Sequence, residues 1–404
     1  MQSRRDGRLV FAGADLVLPD RVVPGGSLLI DADRIAAVDF RASIRPDGAR
    51  IIDAAGTYIV PGFIDVHVHG VEGFDTLDGS ESLAAIAARL PRYGVTAFCP
   101  TTVACDDRQL EAFLASVRQR HHTPVSGAAR VLPAHLESNF INPEYCGAQP
   151  VACLRAPREP DRTAASNGFT ARDILDVIAA ARQEVSIVTV APELAGGVDL
   201  VRDLVAAGHR VSLGHSGADF DTAVAAIEAG ARHATHLFNR MAPMTHRAPG
   251  LVGAILSRQE VTAELICDGH HVHPAMCALA IRAKGAAGIM AITDATAGAG
   301  LPVGATARLG GRIIRVTDTA AVLEAGTLAG STLTMDRAFR NVVTRFGRSV
   351  TDAAAMCATT PAAALGLDGV GAIREGAIAD LVLLDRDFAV AHTVIAGELV
   401  YSRV

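Results

Sequence analysis

From residue 58 onward, short β-branched runs alternate with alanine-rich segments of helical period, and eight such runs can be counted, at 58–66, 95–101, 130–136, 185–191, 210–214, 233–236, 261–267 and 289–293. Between and after them, helix-period segments fall at 82–92, 108–120, 171–182, 200–207, 220–229, 274–284, 335–346 and 352–357. Strand and helix in strict alternation predict a parallel sheet covered by helices. Eight repeats of that unit predict a (β/α)₈ TIM-type barrel. The first 57 residues read differently, as apolar alternations at 9–11, 16–18, 27–30, 35–38 and 50–53 broken by Gly, Pro and Asp. A similar pattern returns at 380–384 and 390–395, so a small discontinuous β-sandwich domain from 1–57 and 366–404 is expected beside a hydrolase barrel at 58–365.

With 404 residues, half of them hydrophobic, the chain can bury a core of that size. Net charge is −6 and the basic residues are scattered, which argues against nucleic acid or anionic lipid as partners and for a small molecule. The N-terminus lacks a continuous apolar leader and no stretch is long enough to span a bilayer, so a soluble cytoplasmic protein is expected. Seven widely spaced cysteines without C-x-x-C read as reduced thiols rather than a disulfide framework or a structural zinc knot.

In such a barrel the chemistry gathers at the carboxyl ends of the strands. There the sequence places Asp65-Val66-His67-Val68-His69, His135-Leu136-Glu137, Gly214-His215-Ser216, Thr235-His236-Leu237-Phe238-Asn239, Asp268-Gly269-His270-His271 and Thr293-Asp294-Ala295. Taken singly, each is more often a core histidine or a turn aspartate than a ligand. Their coincidence at equivalent points of one repeat has no packing reason. Imidazole and carboxylate without thiolate suit zinc or a similar divalent ion, one or two per subunit. His67 and His69, two apart on a strand, share a face and can reach one ion. Glu137, His215 and His236 would complete or share the site. Asp294 would take a proton from the activated water and pass it to a leaving nitrogen, which is the chemistry of amide hydrolysis.

These motifs, with Pro61-Gly62-Phe63-Ile64, Arg247-Ala248-Pro249-Gly250 and Gly326-Thr327-Leu328-Ala329-Gly330-Ser331, resemble the amidohydrolase superfamily and, within it, the N-acetylglucosamine-6-phosphate deacetylase family over nearly the whole chain. The resemblance implies that Glu137, His215 and His236 hold the main metal, that His67 and His69 hold a second, and that Asp294 is the catalytic acid and base. It further implies that Asn239 and His271 hold the sugar and its phosphate, that Leu328 lines the acetyl pocket, and that Arg247 binds phosphate across a homodimer. The substrate implied is an N-acetylhexosamine 6-phosphate, with N-acetylglucosamine 6-phosphate foremost. Members that bridge two metals with a carboxylated lysine are a poorer match. Lys284, the only lysine, lies before the eighth strand, leaving Glu137 as the bridging candidate.

Three departures bear on the substrate. Ser138-Asn139 replaces the family's Gly-Pro, Gln149 stands for a histidine that helps polarise the scissile carbonyl, and Arg240 stands for alanine. Gln149 can donate a hydrogen bond but carries no charge. Arg240 adds a cation beside the sugar or phosphate. An alternative is therefore hydrolysis of another N-acyl amino sugar or anionic amide, and a further one is a non-catalytic assembly protein on the same barrel. The plain reading of His67 and His69 is a vestigial or partly filled second site, and that of Arg240 and Arg247 is solvated surface charge. His121, His122, His209 and His392 read as surface or turn residues, His233 as structural, and His246, His270 and His273 as ambiguous.

Overall fold

The computed structural model describes residues 7–41, 44–158 and 168–403. Eight parallel strands form the barrel: β1 (Phe63–Val68), β2 (Val95–Thr102), β3 (Ala134–Leu136), β4 (Val185–Val190), β5 (Arg210–Leu213), β6 (His233–Ala234), β7 (Thr262–Ile266) and β8 (Ile289–Ile292). Neighbours pair in chain order, and the ring closes where Val68 bridges Ala295 and the Asp294 N–H donates to the His67 carbonyl at 3.0 Å. Every residue of β4 is buried, as expected of a strand covered on one face by barrel core and on the other by helices. The helices begin where the sequence supplies caps. Asp106, Asp219 and Thr170 each accept a backbone N–H, and Thr170 with Asp173 forms a full capping box.

Three expected strands are cut short for visible reasons. The run 58–66 divides at Gly62, where a side chain would strike Thr96 at 2.5 Å. Its first part, Tyr58–Pro61, leaves the barrel and pairs with Leu9–Val17 and Leu381–Leu384 in a separate mixed sheet. The run 130–136 breaks at Pro133, which cannot donate to a ladder. The run 233–236 stops at Ala234 because the chain turns to a positive φ at His236.

The mixed sheet holds strands from both ends of the chain, in the order Glu398–Ser402, Val390–Ile395, Leu381–Leu384, Tyr58–Pro61, Leu9–Val17, Val22–Asp31, Arg34–Asp39. It has its own apolar core around Phe11, Leu16, Leu28, Ile30, Ile59 and Leu383. Asp380 ties it to the barrel through an ion pair with Arg130, and its carbonyl accepts the Gly62 N–H. A three-stranded meander that the periodicity did not reveal, Thr306–Leu309, Arg312–Val316 and Ala321–Leu323, packs over the barrel mouth through Leu309, Ile314 and Val103. No helix among the described residues is long and apolar enough to cross a membrane.

Candidate active site

His215, His236 and Asp294 each stand two residues beyond the end of β5, β6 and β8, and all three have positive φ (48°, 27° and 49°). That conformation is uncommon for a residue with a side chain and turns each chain abruptly. It aims the three side chains across the mouth, where Glu137 follows β3 directly and His67 and His69 come from the end of β1. Glu137 Oε1 lies 2.8 Å from both His215 Nε2 and His236 Nε2, which are 3.0 Å from each other. His67 Nε2 and His69 Nε2 are 3.2 Å apart, and Asp294 Oδ1 lies 3.4 and 3.2 Å from them. His69 also reaches Glu137 Oε2 at 3.4 Å, so the two triads adjoin.

The donors fit a divalent ion. The Tyr145 carbonyl accepts the Nδ1–H of His215 at 2.8 Å, and the Nδ1 of His67 lies 2.9 Å from Glu264 Oε2. With those nitrogens committed, the Nε2 atoms of the two rings turn to the carboxylates, that of His215 to Glu137 and that of His67 to Asp294. Glu137, His215 and His236, and separately His67, His69 and Asp294, bring their ligand atoms within 4.8 Å of one another. Lone pairs of nitrogen and oxygen crowded together without thiolate form the donor set of a zinc-like cation.

Burial drives these groups in opposite directions according to their neighbours. It lowers His67 to about 4 against the pull of Asp294 and Glu137. For His69 the hydrogen bonds and charges of Asp294 and Glu137 overcome burial and raise it to about 10, and Glu137 raises His236 to about 8 in the same way. Burial would raise Glu137, but the charge and hydrogen bonds of the surrounding histidines hold it well below the usual carboxylate range. Asp294 is likewise held low by His67 and His69.

Around this centre lies an open cleft lined by Gln149, Asn239, Arg240, His271, Leu309 and Leu328 among others. His271 is oriented by Asp268, whose Oδ2 lies 2.6 Å from its Nδ1; that contact outweighs burial and raises the imidazole. Arg240 is exposed at the rim, and no carboxylate pairs with it among the described residues. Arg247 is exposed on the following loop and does not line the cleft. Gly330 supports the Asp294 turn from beneath. A side chain there would meet the Asp294 carbonyl at 2.8 Å, and the next N–H, of Ser331, donates to that carbonyl at 2.7 Å.

The departures noted in the sequence have structural work. Both ends of the Gln149 amide are engaged: its Nε2 donates to Glu137 Oε2 and its Oε1 accepts the Ala104 N–H at 2.7 Å. Asn139 donates to the carbonyls of Cys105 and Cys153, and Ser138 to that of Thr189. His209 is buried, not at the surface, because its Nδ1–H is taken by the Val185 carbonyl at 3.1 Å. The sequence reading also passed over Glu193, which accepts from Asn142, Ser216 and the Gly217 N–H and so braces the turn carrying His215.

A barrel with imidazole and carboxylate ligands at its strand ends and an acid beside them is the architecture of metal-dependent amide hydrolysis. The amidohydrolase family model matches residues 58–400, and the chain belongs to that family. It is 33% identical over 401 residues to N-acetylglucosamine-6-phosphate deacetylase of Bacillus subtilis, covering 97% of each chain. It is 34% identical over 363 residues to N-acetylgalactosamine-6-phosphate deacetylase of Escherichia coli O157:H7, covering 89% of this chain and 92% of that one. The structure of N-acetyl-D-glucosamine-6-phosphate deacetylase from Mycobacterium smegmatis in complex with N-acetyl-D-glucosamine-6-phosphate superposes with a TM-score of 0.87 at 32% identity, over 98% of this chain and all of that one. Within the amidohydrolases, then, this chain is a member of the N-acetylglucosamine-6-phosphate deacetylase family.

Proposed function

We propose that this protein hydrolyses the N-acetyl amide of an N-acetylhexosamine 6-phosphate, N-acetylglucosamine 6-phosphate foremost, to the amino sugar phosphate and acetate. The observation that carries the reading is Asp294 Oδ1 standing beside His69 Nε2 at 3.2 Å, next to the Glu137, His215 and His236 cluster, on the floor of a cleft that ends in Asn239, Arg240 and His271. The ion is zinc, held by Glu137, His215 and His236, with His67 and His69 available to a second; when bound it polarises the acyl oxygen and acidifies the attacking water. Asp294 accepts the proton that water loses as its oxygen bonds to the acyl carbon. The same carboxyl then protonates the amide nitrogen as the C–N bond breaks, releasing amine and acetate.

His271, oriented by Asp268, and Asn239 bind the sugar phosphate, with Arg240 at the rim adding positive charge. Leu328 packs on the acetyl methyl. Arg247, exposed and away from its own cleft, binds phosphate in the second copy of a homodimer. The enzyme acts in the cytoplasm, with the barrel, 63–365, as the catalytic unit and the two chain ends together with Tyr58–Pro61 as the supporting one.

One observation favours a second reading, hydrolysis of a different N-acyl amino sugar or anionic amide. Gln149, held by Glu137 and Ala104, offers the cleft an uncharged amide where the family's histidine polarises the carbonyl. Acetate release by the zinc-loaded protein separates the two, with N-acetylglucosamine 6-phosphate, its galactosamine epimer and both unphosphorylated sugars assayed in parallel. Turnover confined to a phosphorylated acetamido sugar supports the first reading. Equal or better turnover of unphosphorylated or differently acylated compounds sinks it.

A further inference from the structure

Glu264 lies in the middle of β7, between the buried Ala263 and Leu265, and is wholly excluded from solvent. A carboxyl group inside a barrel is costly unless it is paired, so its partners indicate its use. Its Oε2 lies 2.9 Å from His67 Nδ1 and accepts the His236 backbone N–H at 3.3 Å. Its own carbonyl accepts the Leu237 N–H at 2.8 Å. Its Oε1 has no hydrogen-bond partner and stands 3.6 Å from His135 Nδ1. One side chain therefore touches both the strand that carries His67 and His69 and the turn that carries His236.

Two uses compete. His67, His135 and Glu264 are close enough to hold an ion of their own. Both ring nitrogens of His135 are already engaged, Nδ1 with the Val66 carbonyl at 3.1 Å and Nε2 with Thr189 Oγ1 at 2.9 Å, so that ring has no lone pair to give. What remains is a hydrogen-bond role. Because Oε2 already accepts the His236 N–H, it faces His67 as an acceptor, and the ring proton belongs on Nδ1. That tautomer leaves the Nε2 lone pair directed at His69 and Asp294.

We propose that Glu264 is a positioning residue that fixes His67 in its Nδ1–H form, with Nε2 free to ligate a divalent ion, and pins the His236 turn to the same carboxylate. Carboxylates that hold a ligating histidine in this way typically change metal affinity 10- to 100-fold when removed. The proposal rests on the hydrolase reading for its purpose but not for its test, which is metal binding.

Zinc binding by the full-length protein is measured at neutral pH by competition with a chromophoric chelator, for the wild type, Glu264→Leu and His67→Asn. Leucine offers no acceptor to the Nδ1 proton, so the ring is free to carry that proton on Nε2 instead. Glu264→Leu is therefore expected to retain the ion at Glu137, His215 and His236 while its His67-dependent zinc binding weakens about 10- to 100-fold, in the same direction as His67→Asn. Wild-type zinc stoichiometry and affinity in Glu264→Leu would overturn the proposal. So would wild-type zinc binding in His67→Asn, since His67 would then be no ligand to position.

If Glu264→Leu fails to fold, the metal-free wild type decides the matter. Long-range ¹⁵N correlation spectra, with His67 assigned by its loss in His67→Asn, are expected to show a protonated Nδ1; a protonated Nε2 overturns the proposal. Failure of the wild type to release acetate from any N-acyl sugar would count against the substrate reading and leave these two readouts intact.

Discussion

His236 and His233 stand three residues apart, yet they belong to opposite ends of the barrel. His236, beyond the end of β6, faces Glu137 and is raised to about 8. His233, at the start of β6, is lowered to about 4 by burial, with the Arg210 charge pushing the same way. At the base, cations meet backbone carbonyls, as Arg210 does at Ala364 and Leu365. At the mouth, titratable groups meet one another. Depth along a strand, more than residue type, therefore separates a working histidine from a packed one.

The largest effect should come from the mouth. Asp294→Asn is expected to lower kcat by about 10²- to 10⁴-fold, the usual share of a general acid and base, with zinc content unchanged by elemental analysis. Full activity would take the proton-transfer role from Asp294 and blur the contrast. Next, Arg247→Ala should raise KM for a phosphorylated sugar about tenfold or more while kcat holds, since a charge-assisted hydrogen bond contributes about 1.5–3 kcal/mol. An unmoved KM would mean that no phosphate binds there.

The smallest effect belongs to the base. His233 has a folded value near 4, below the ordinary 6.5, so the unfolded chain protonates first as pH falls. The stability its neutral ring lends is present above about pH 6.5 and lost as pH drops towards 4. His233→Gln should therefore lose about 1–2 kcal/mol less than the wild type between pH 6.5 and 5, by denaturant melts of the zinc-free protein, with kcat within about twofold. A parallel loss in both proteins would place the acid sensitivity elsewhere.

Much of this was legible in the chain. The alternation of runs gives the barrel, and the clustering of His, Glu and Asp just past each run gives the mouth, because parallel strands bring equivalent repeat positions together. The meander at 306–323 was not, since its strands are short, half exposed and mixed in polarity. Its best signal was Gly310-Gly311, a two-residue turn between Leu309 and Arg312 with both φ positive. Glu264 left a trace as the one acidic residue in the run 261–267, but nothing in the sequence says that its partner is His67, 197 residues away. The engagement of Gln149 with Glu137 and Ala104 depends on loop conformation, which periodicity does not encode.

The mixed sheet sets Tyr58–Pro61 between Leu9–Val17 and Leu381–Leu384. During synthesis on a ribosome the two earlier strands emerge long before the third, and Tyr58–Pro61 has an open hydrogen-bonding edge for nearly the whole time the barrel is being made. The seam that joins the two units is thus among the last parts to form, and the nascent chain must keep a sticky edge covered until its own tail arrives.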